Sequence, residues 1–310
     1  MSSLRVTTFL LVTGLLTLSQ TGQQKGAPKA SSSLPLRIFR TDPARYLDAV
    51  KAHSGAGSLR YMILVDGSIF NTNLLFIHRG VLAPHSSIGH HIHRQIEEMY
   101  VIFDNRARFT VNGRTSELGA GAMVPCLMGS SHGIYNPTDR ETQWMNIGVA
   151  AVKGKYDAED LKDDLVNTRL DPQPQFAVEW IDRKLLKPTM NVHKGKGTLL
   201  FRRIWSHETF KSNWGFIDHV VVPGGSSIGY HRHDLHEECY LIVAGRGRVT
   251  VDGETAEVGP GDAIPCLLHQ SHGLYNHTDQ DLELLNIAVS REKGNFDATD
   301  LGNDLTLRNL

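Results

Sequence analysis

Two histidines separated by one residue, with a glutamate five positions beyond the second, occur twice in this chain of 310 residues: His91, His93 and Glu98, then His231, His233 and Glu238. Each set is followed downstream by a further histidine, His132 and His272. In a β-strand, residues i and i+2 face the same way. Each His-x-His pair can therefore present two imidazoles side by side, with the glutamate at the start of the next strand and the distant histidine on a third. Three neutral imidazoles and one carboxylate suit a divalent first-row ion such as Mn, Fe, Cu, Ni or Zn. Such a set leaves one or two coordination positions open, as in catalytic rather than closed structural sites. One His-x-His alone would be weak evidence. The recurrence of the whole set, each with a tyrosine two residues past the glutamate (Tyr100, Tyr240), predicts up to two metal ions per chain.

The two sets belong to one unit written twice. Shifted by 140 residues the sequence aligns with itself without a gap, so that Ser86 to Gly113 matches Ser226 to Gly253 at more than half of its positions. The match runs on through Val124-Pro-Cys-Leu and Ile264-Pro-Cys-Leu to Asp157-Ala-Glu-Asp-Leu161 and Asp297-Ala-Thr-Asp-Leu301. A repeat of this length is a duplicated domain rather than a solenoid unit. The polar, proline-containing stretch at 167–175 marks the boundary, which divides the chain into residues 37–170 and 171–310.

Positioning the ligands requires strands, and the sequence supplies them. Short runs of Val, Ile, Phe, Tyr and Thr alternate with turn signals such as Asp252-Gly253, Ala244-Gly-Arg-Gly247 and Gly259-Pro-Gly-Asp262. The expected class is all-β, two tandem jelly-roll barrels with a few peripheral helices. Thr41-Asp42-Pro43 predicts a helix over 44–51, and 158–165 reads as a second. Parity places Tyr100 and Tyr240 on the ligand face, where they are candidate general bases or hydrogen-bonded core residues. It places Glu97 and Glu237 on the opposite face, as outward solvated charges. Asn146 and Asn286 can reach the interior from a later strand or serve equally in a turn or cap, and Arg246 and Arg248 read as exposed. His236 has no counterpart in the first copy, where Ile96 stands; a solvent-facing turn and the mouth of the site are both open to it.

Composition narrows the partners. With 32 Lys plus Arg against 33 Asp plus Glu, and no basic run, nothing predicts a nucleic-acid or anionic-membrane partner. Residues 6–18 are apolar and uncharged after a short basic start, too short to span a bilayer comfortably but suited to a signal peptide over 1–22, with a retained N-terminal anchor as the alternative. Residues 23–36 read as a flexible linker. The expectation is a secreted or periplasmic protein, off the membrane once the signal is cleaved, with a small-molecule substrate and room for homo-oligomerisation. Three cysteines make no disulfide framework. Cys126 and Cys266, at matching points, read as buried thiols, with one bridge across the repeat as the alternative.

On these residues the chain resembles the cupins, here as a two-domain bicupin. Gly225, His231, His233, Glu238 and Gly245 follow the family's first motif, and Gly259, Pro265, His272 and Asn276 follow its second, with a Pro-to-His loop two residues longer than usual. The first copy matches with His91, His93, Glu98, Gly119, Pro125, His132 and Asn136, and departs in the turns, with Pro84 and Asn105 where glycines are usual. The resemblance implies that His91, His93, Glu98 and His132, and likewise His231, His233, Glu238 and His272, are metal ligands. It also implies a metal-dependent enzyme of dioxygenase or lyase/isomerase type. In members resembling the sulfoniopropionate lyases, a Tyr at the offset of Tyr240 is the base. Members of the oxalate decarboxylase type resemble one another in an Arg before the His pair and a Trp inside it. Here Ile228-Gly-Tyr230 and Arg232 take those places, and no dicarboxylate clamp is visible. The alternative is a storage or binding bicupin without chemistry.

Overall fold

The computed structural model describes residues 33–302 and 304–308. The expected signal peptide and residues 23–32 of the expected linker lie outside these residues. Each copy builds one barrel from a seven-stranded and a five-stranded sheet, with every ladder antiparallel. In the first copy the central strands of the larger sheet are Ala122–Cys126, Ile96–Ile102, Thr142–Ala150 and Leu74–Leu82. The smaller sheet runs Glu159–Asp163, Ser87–Ile92, Ser131–Tyr135, Arg106–Val111 and Arg114–Gly119. The second copy repeats both orders, with Asp262–Cys266, His236–Ala244, Leu282–Ser290 and Trp214–Val222 at the centre of its larger sheet. Alternation accounts for this: inner-facing Leu82, Ile102 and Val124 fill the first barrel, and Val222, Ile242 and Ile264 the second.

The outer faces of the two larger sheets pack on each other. One buried cluster contains Met99, Val101 and Ile147 from the first copy with Ile217, Leu241 and Ile287 from the second. The copies also exchange short strands. Phe39–Arg40 pairs with Asp262 and Ala263 in the second sheet, and Glu179–Trp180 pairs with Ala122 and Met123 in the first. The cut between 170 and 171 therefore does not coincide with sheet membership.

Several expectations are corrected here. The helix over 44–51 is a single turn, Pro43–Arg45, followed by the strand Leu47–Val50. Asp42 caps that turn through the N–H of Ala44 at 3.0 Å, but the open edge of Ser58–Asp66 then captures Leu47–Val50 as a strand. The helix over 158–165 is instead the edge strand Glu159–Asp163, laid on Ser87–Ile92. The linker ends earlier than residue 36: Leu34–Arg37 forms one turn, with Leu34 buried in the second barrel's core. In the first copy the place of Gly225 is taken by His85, not Pro84. His85 and Asn105 sit at φ 52° and 54°, as Gly225 and Gly245 do at 74° and 78°, so the turns keep their left-handed geometry without glycine. Cys126 and Cys266 are both buried and free.

Candidate metal centres

Strand parity and register bring the expected residues together. His91 pairs directly with His132 and His231 with His272 across neighbouring strands of the smaller sheets. Glu98 and Glu238 reach over from the larger sheets. All eight side chains are buried, and within each set the donor atoms lie within 4.8 Å of one another. Glu98 Oε2 is 3.0 Å from His132 Nε2, and its Oε1 is 3.6 Å from His93 Nε2. The corresponding distances in the second set are 3.2 Å and 3.7 Å.

Hydrogen bonding fixes which nitrogen faces inward. His91 Nδ1 contacts the carbonyl of Gly89 at 2.7 Å, and His231 Nδ1 that of Gly229 at 2.8 Å. His93 and His233 use Nδ1 on the carbonyls of Asp157 and Asp297, and His132 and His272 on those of Ser130 and Gln270. With Nδ1 of each ring on an outward carbonyl, every Nε2 is turned toward a common centre, the arrangement that metal-ligating histidine needs. His93 Nε2 and His233 Nε2 are buried without a hydrogen-bond partner, a cost that coordination would remove. The residues fit a divalent ion.

Electrostatics agree. Burial pushes His91 and His231 well below the ordinary imidazole range, and their neighbouring imidazoles push the same way, so both rings are neutral at neutral pH. Burial alone would raise Glu98, yet His93 and His132 hold it well below the usual carboxylate range. Glu238 is held down likewise by His233 and His272. Asn146 Nδ2 donates to Glu98 Oε1 at 2.9 Å and orients that carboxylate. Tyr100 and Tyr240 line the interior, with ring centroids 6.0 Å and 5.6 Å from those of His132 and His272. Burial first, and then the nearby glutamate, raises both phenols well above their usual range.

Glu97 and Glu237 are not solvated. Parity does place them opposite the ligands, but that face is the contact between the copies. Glu97 accepts from the N–H of Lys211 at 3.0 Å, from the N–H of Ser212 at 2.7 Å and from Ser212 Oγ at 2.6 Å. Glu237 accepts from the N–H groups of Asn71 and Thr72, at 2.9 Å and 2.8 Å. Each ligand glutamate is thus preceded by a buried carboxylate anchored in the other copy.

His53 and His193 were missed by the sequence reading. They stack on His91 and His231 with centroids 3.8 Å and 3.7 Å apart and rings within 10° of parallel (7° and 9°). Asp160 and Asp300 hold their Nδ1 atoms at 2.7 Å and 3.0 Å. Both histidines sit at φ 50°, a costly region for a residue with a Cβ. Their signal was available, because His53 and Asp160 recur at the same 140-residue offset as the ligands.

A cupin domain model matches residues 78–148 and 218–288. The chain is a two-domain cupin, a bicupin, with a His/His/His/Glu group in each barrel. It is 28% identical over 99 residues to an oxalate-binding protein of Thermotoga maritima, covering 32% of this chain and 82% of that protein. An uncharacterised protein of Methanocaldococcus jannaschii is 38% identical over 66 residues, 21% of this chain and 53% of its own length. Among solved structures, a deletion variant of Bacillus subtilis oxalate decarboxylase superposes with a TM-score of 0.58 at 17% identity, over 85% of this chain and 79% of that one. A structure of the same enzyme concerned with its Mn(II) centres gives 0.55 at 18%, with coverage of 85% and 79%. At that identity these structures establish the shared fold.

Proposed function

We propose that this bicupin is a metal-dependent enzyme acting on a small carboxylate-bearing substrate bound at the open face of a three-histidine, one-glutamate site. The observation that carries the proposal is the set of six histidines with Nδ1 tied to backbone carbonyls and Nε2 turned toward a buried glutamate. His91, His93, Glu98 and His132 would hold one divalent ion, and His231, His233, Glu238 and His272 the other. A bound divalent ion supplies Lewis acidity and an open position for a substrate oxygen.

The chain's own residues do the rest. Asn146 fixes the first glutamate's rotamer, and His53 and His193 brace one imidazole in each set against rotation. Tyr100 and Tyr240 keep their protons at neutral pH, which suits them as donors to a substrate oxygen before either acts as a base. The fold likeness to oxalate decarboxylase and the relationship to an oxalate-binding protein support a small acid as ligand. They also support a second reading, a metal-dependent carboxylate-binding protein without turnover. Lyase and dioxygenase chemistry both fit the donor set. Export to the periplasm or medium is part of the proposal and rests on the apolar segment at 6–18.

Elemental analysis of the purified chain is the first test. The expected result is about two equivalents of Mn, Fe, Cu, Ni or Zn per chain, falling to about one in His132→Ala and in His272→Ala. A protein that stays empty after reconstitution with each metal overturns the proposal. Turnover of a panel of small acids, lost on removal of the metal, separates the enzyme from the binding protein.

A further inference from the structure

The two sites share their ligands but not their walls, and the sharpest difference is one side chain. His236 is 2% exposed, and neither of its ring nitrogens has a hydrogen-bond partner. A neutral imidazole always carries one N–H and one lone pair, so burying it unpartnered costs free energy unless something meets it. Its Nε2 stands 3.6 Å from Glu238 Oε1 and its Nδ1 3.7 Å from Asp297 Oδ1, both beyond hydrogen-bond length. Its ring centroid is 3.9 Å from that of His233.

His236 thus approaches the same carboxylate oxygen as His233, with its ring beside that of His233. Phe216 and Phe296 close around it edge-on, at 5.9 Å and 5.5 Å. Arg203 lies over Phe216 at 4.0 Å and is paired to Asp218 at 2.8 Å and 3.0 Å. At the same offsets the first barrel has Ile96 for His236, Ile63 for Arg203, His78 for Asp218 and Tyr156 for Phe296. A buried isoleucine is thus replaced by a histidine that has carboxylates at 3.6 Å and 3.7 Å but no hydrogen-bond partner among the described residues, which leaves an N–H free for a ligand.

We propose that His236 is a ligand-anchoring residue: it donates a hydrogen bond to a small anion held in the second site, a carboxylate in the natural ligand, so that the second barrel is the anion-selective site. The first barrel, with Ile96 at the matching position, lacks this donor. The assignment rests on the metal sites proposed above and adds which barrel takes the acid and through which donor. His233, His236 and Asp297 also lie close enough to hold an ion between them, so ligation by His236 is the competing outcome.

The test uses the full chain loaded with Co(II), whose visible spectrum reports anion binding, titrated with azide and separately with oxalate. The wild type is expected to show one tight and one weak anion equivalent per chain. In His236→Ile the tight equivalent weakens about tenfold, the loss of one hydrogen bond, while two Co(II) per chain remain. His236→Gln, which keeps an N–H donor, stays within about threefold, and Ile96→His creates a second tight equivalent. Equal affinities in the wild type, an unchanged titration in His236→Ile, or loss of one Co(II) in that variant each overturns the proposal. If His236→Ile does not fold, Ile96→His decides: no second tight equivalent overturns it. Azide binding that depends on His236 while oxalate does not bind sustains the anchor and instead removes the small-acid reading of the substrate.

Discussion

The two barrels are alike where they meet each other and at the candidate metal ligands, and different along one wall of each site. All eight ligands, the paired backbone carbonyls behind the histidines, the His53 and His193 braces and the Glu97 and Glu237 anchors recur at the same offset. The wall around Phe76 and Phe216 does not. In the first barrel it carries Ile63, His78, Ile96 and Tyr156; in the second, Arg203, Asp218, His236 and Phe296. Duplication preserved the candidate ion-holding residues and what holds the copies together, and released the wall beside them. The ligands sit on paired strands inside a packed core, where a change costs several interactions at once. A wall residue answers only to its immediate neighbours and to the ligand.

The comparison can be broken first where it claims symmetry. Glu97→Ala and Glu237→Ala should each destabilise the chain by about 3–5 kcal/mol, because backbone donors of the other copy are left buried without an acceptor. Urea unfolding checks this, and a cost confined to one copy would refute the equivalence of the two anchors.

Smaller and opposite effects are expected at one position of the divergent wall. Burial lowers His78 to about 4, only partly opposed by Glu98. A depressed histidine contributes stability above its unfolded value and loses it as pH falls from about 6.5 to about 4. Its counterpart Asp218 is raised to about 6, chiefly by burial and against the pull of Arg203. A raised carboxyl contributes stability below its unfolded value, which is lost as pH climbs from about 4 to about 6. Relative to the wild type, His78→Asn should therefore flatten a loss toward acid, and Asp218→Asn a loss toward neutrality. Each change should be on the order of 1–2 kcal/mol across its window, read from denaturation midpoints at stepped pH. Slopes of the same sign in the two variants would overturn the contrast.

The least effect belongs to the rim. Arg94 pairs with Glu159 at 2.7 Å in the first copy, where the second has Asp234, and both partners are more than half exposed. Arg94→Ala should shift stability by about 0.5 kcal/mol or less, and a larger shift in unfolding midpoint would show that the rim pair supports the site.

Much of the site was legible because its logic is local. The i, i+2 spacing of His91 and His93 fixes a common face once the segment is a strand, and the second copy shows that the spacing is not chance. Tyr100 and Tyr240 were placed inward by the same parity. The helix expected over 44–51 failed for a non-local reason: Asp42 caps one turn, but the neighbouring strand edge outcompetes a second. His53 and Asp160 lie too far apart in sequence for any local period to join them, although the repeat could have flagged both.

The sequence by itself determined the duplication, the all-β class, the turns and the eight candidate ligands, since each follows from short-range periodicity or from the fixed offset between copies. Only the tertiary structure decided the fate of the outer sheet face. Parity can send Glu97 and Glu237 away from the ligands, but whether that direction is water or protein depends on what packs there. The same holds for His236, whose type and position were plain, while its burial against Phe216 and Phe296 arises from segments distant in sequence. Burial is a property of the assembled sheets, and the polar groups it strands are where this molecule points to its ligand.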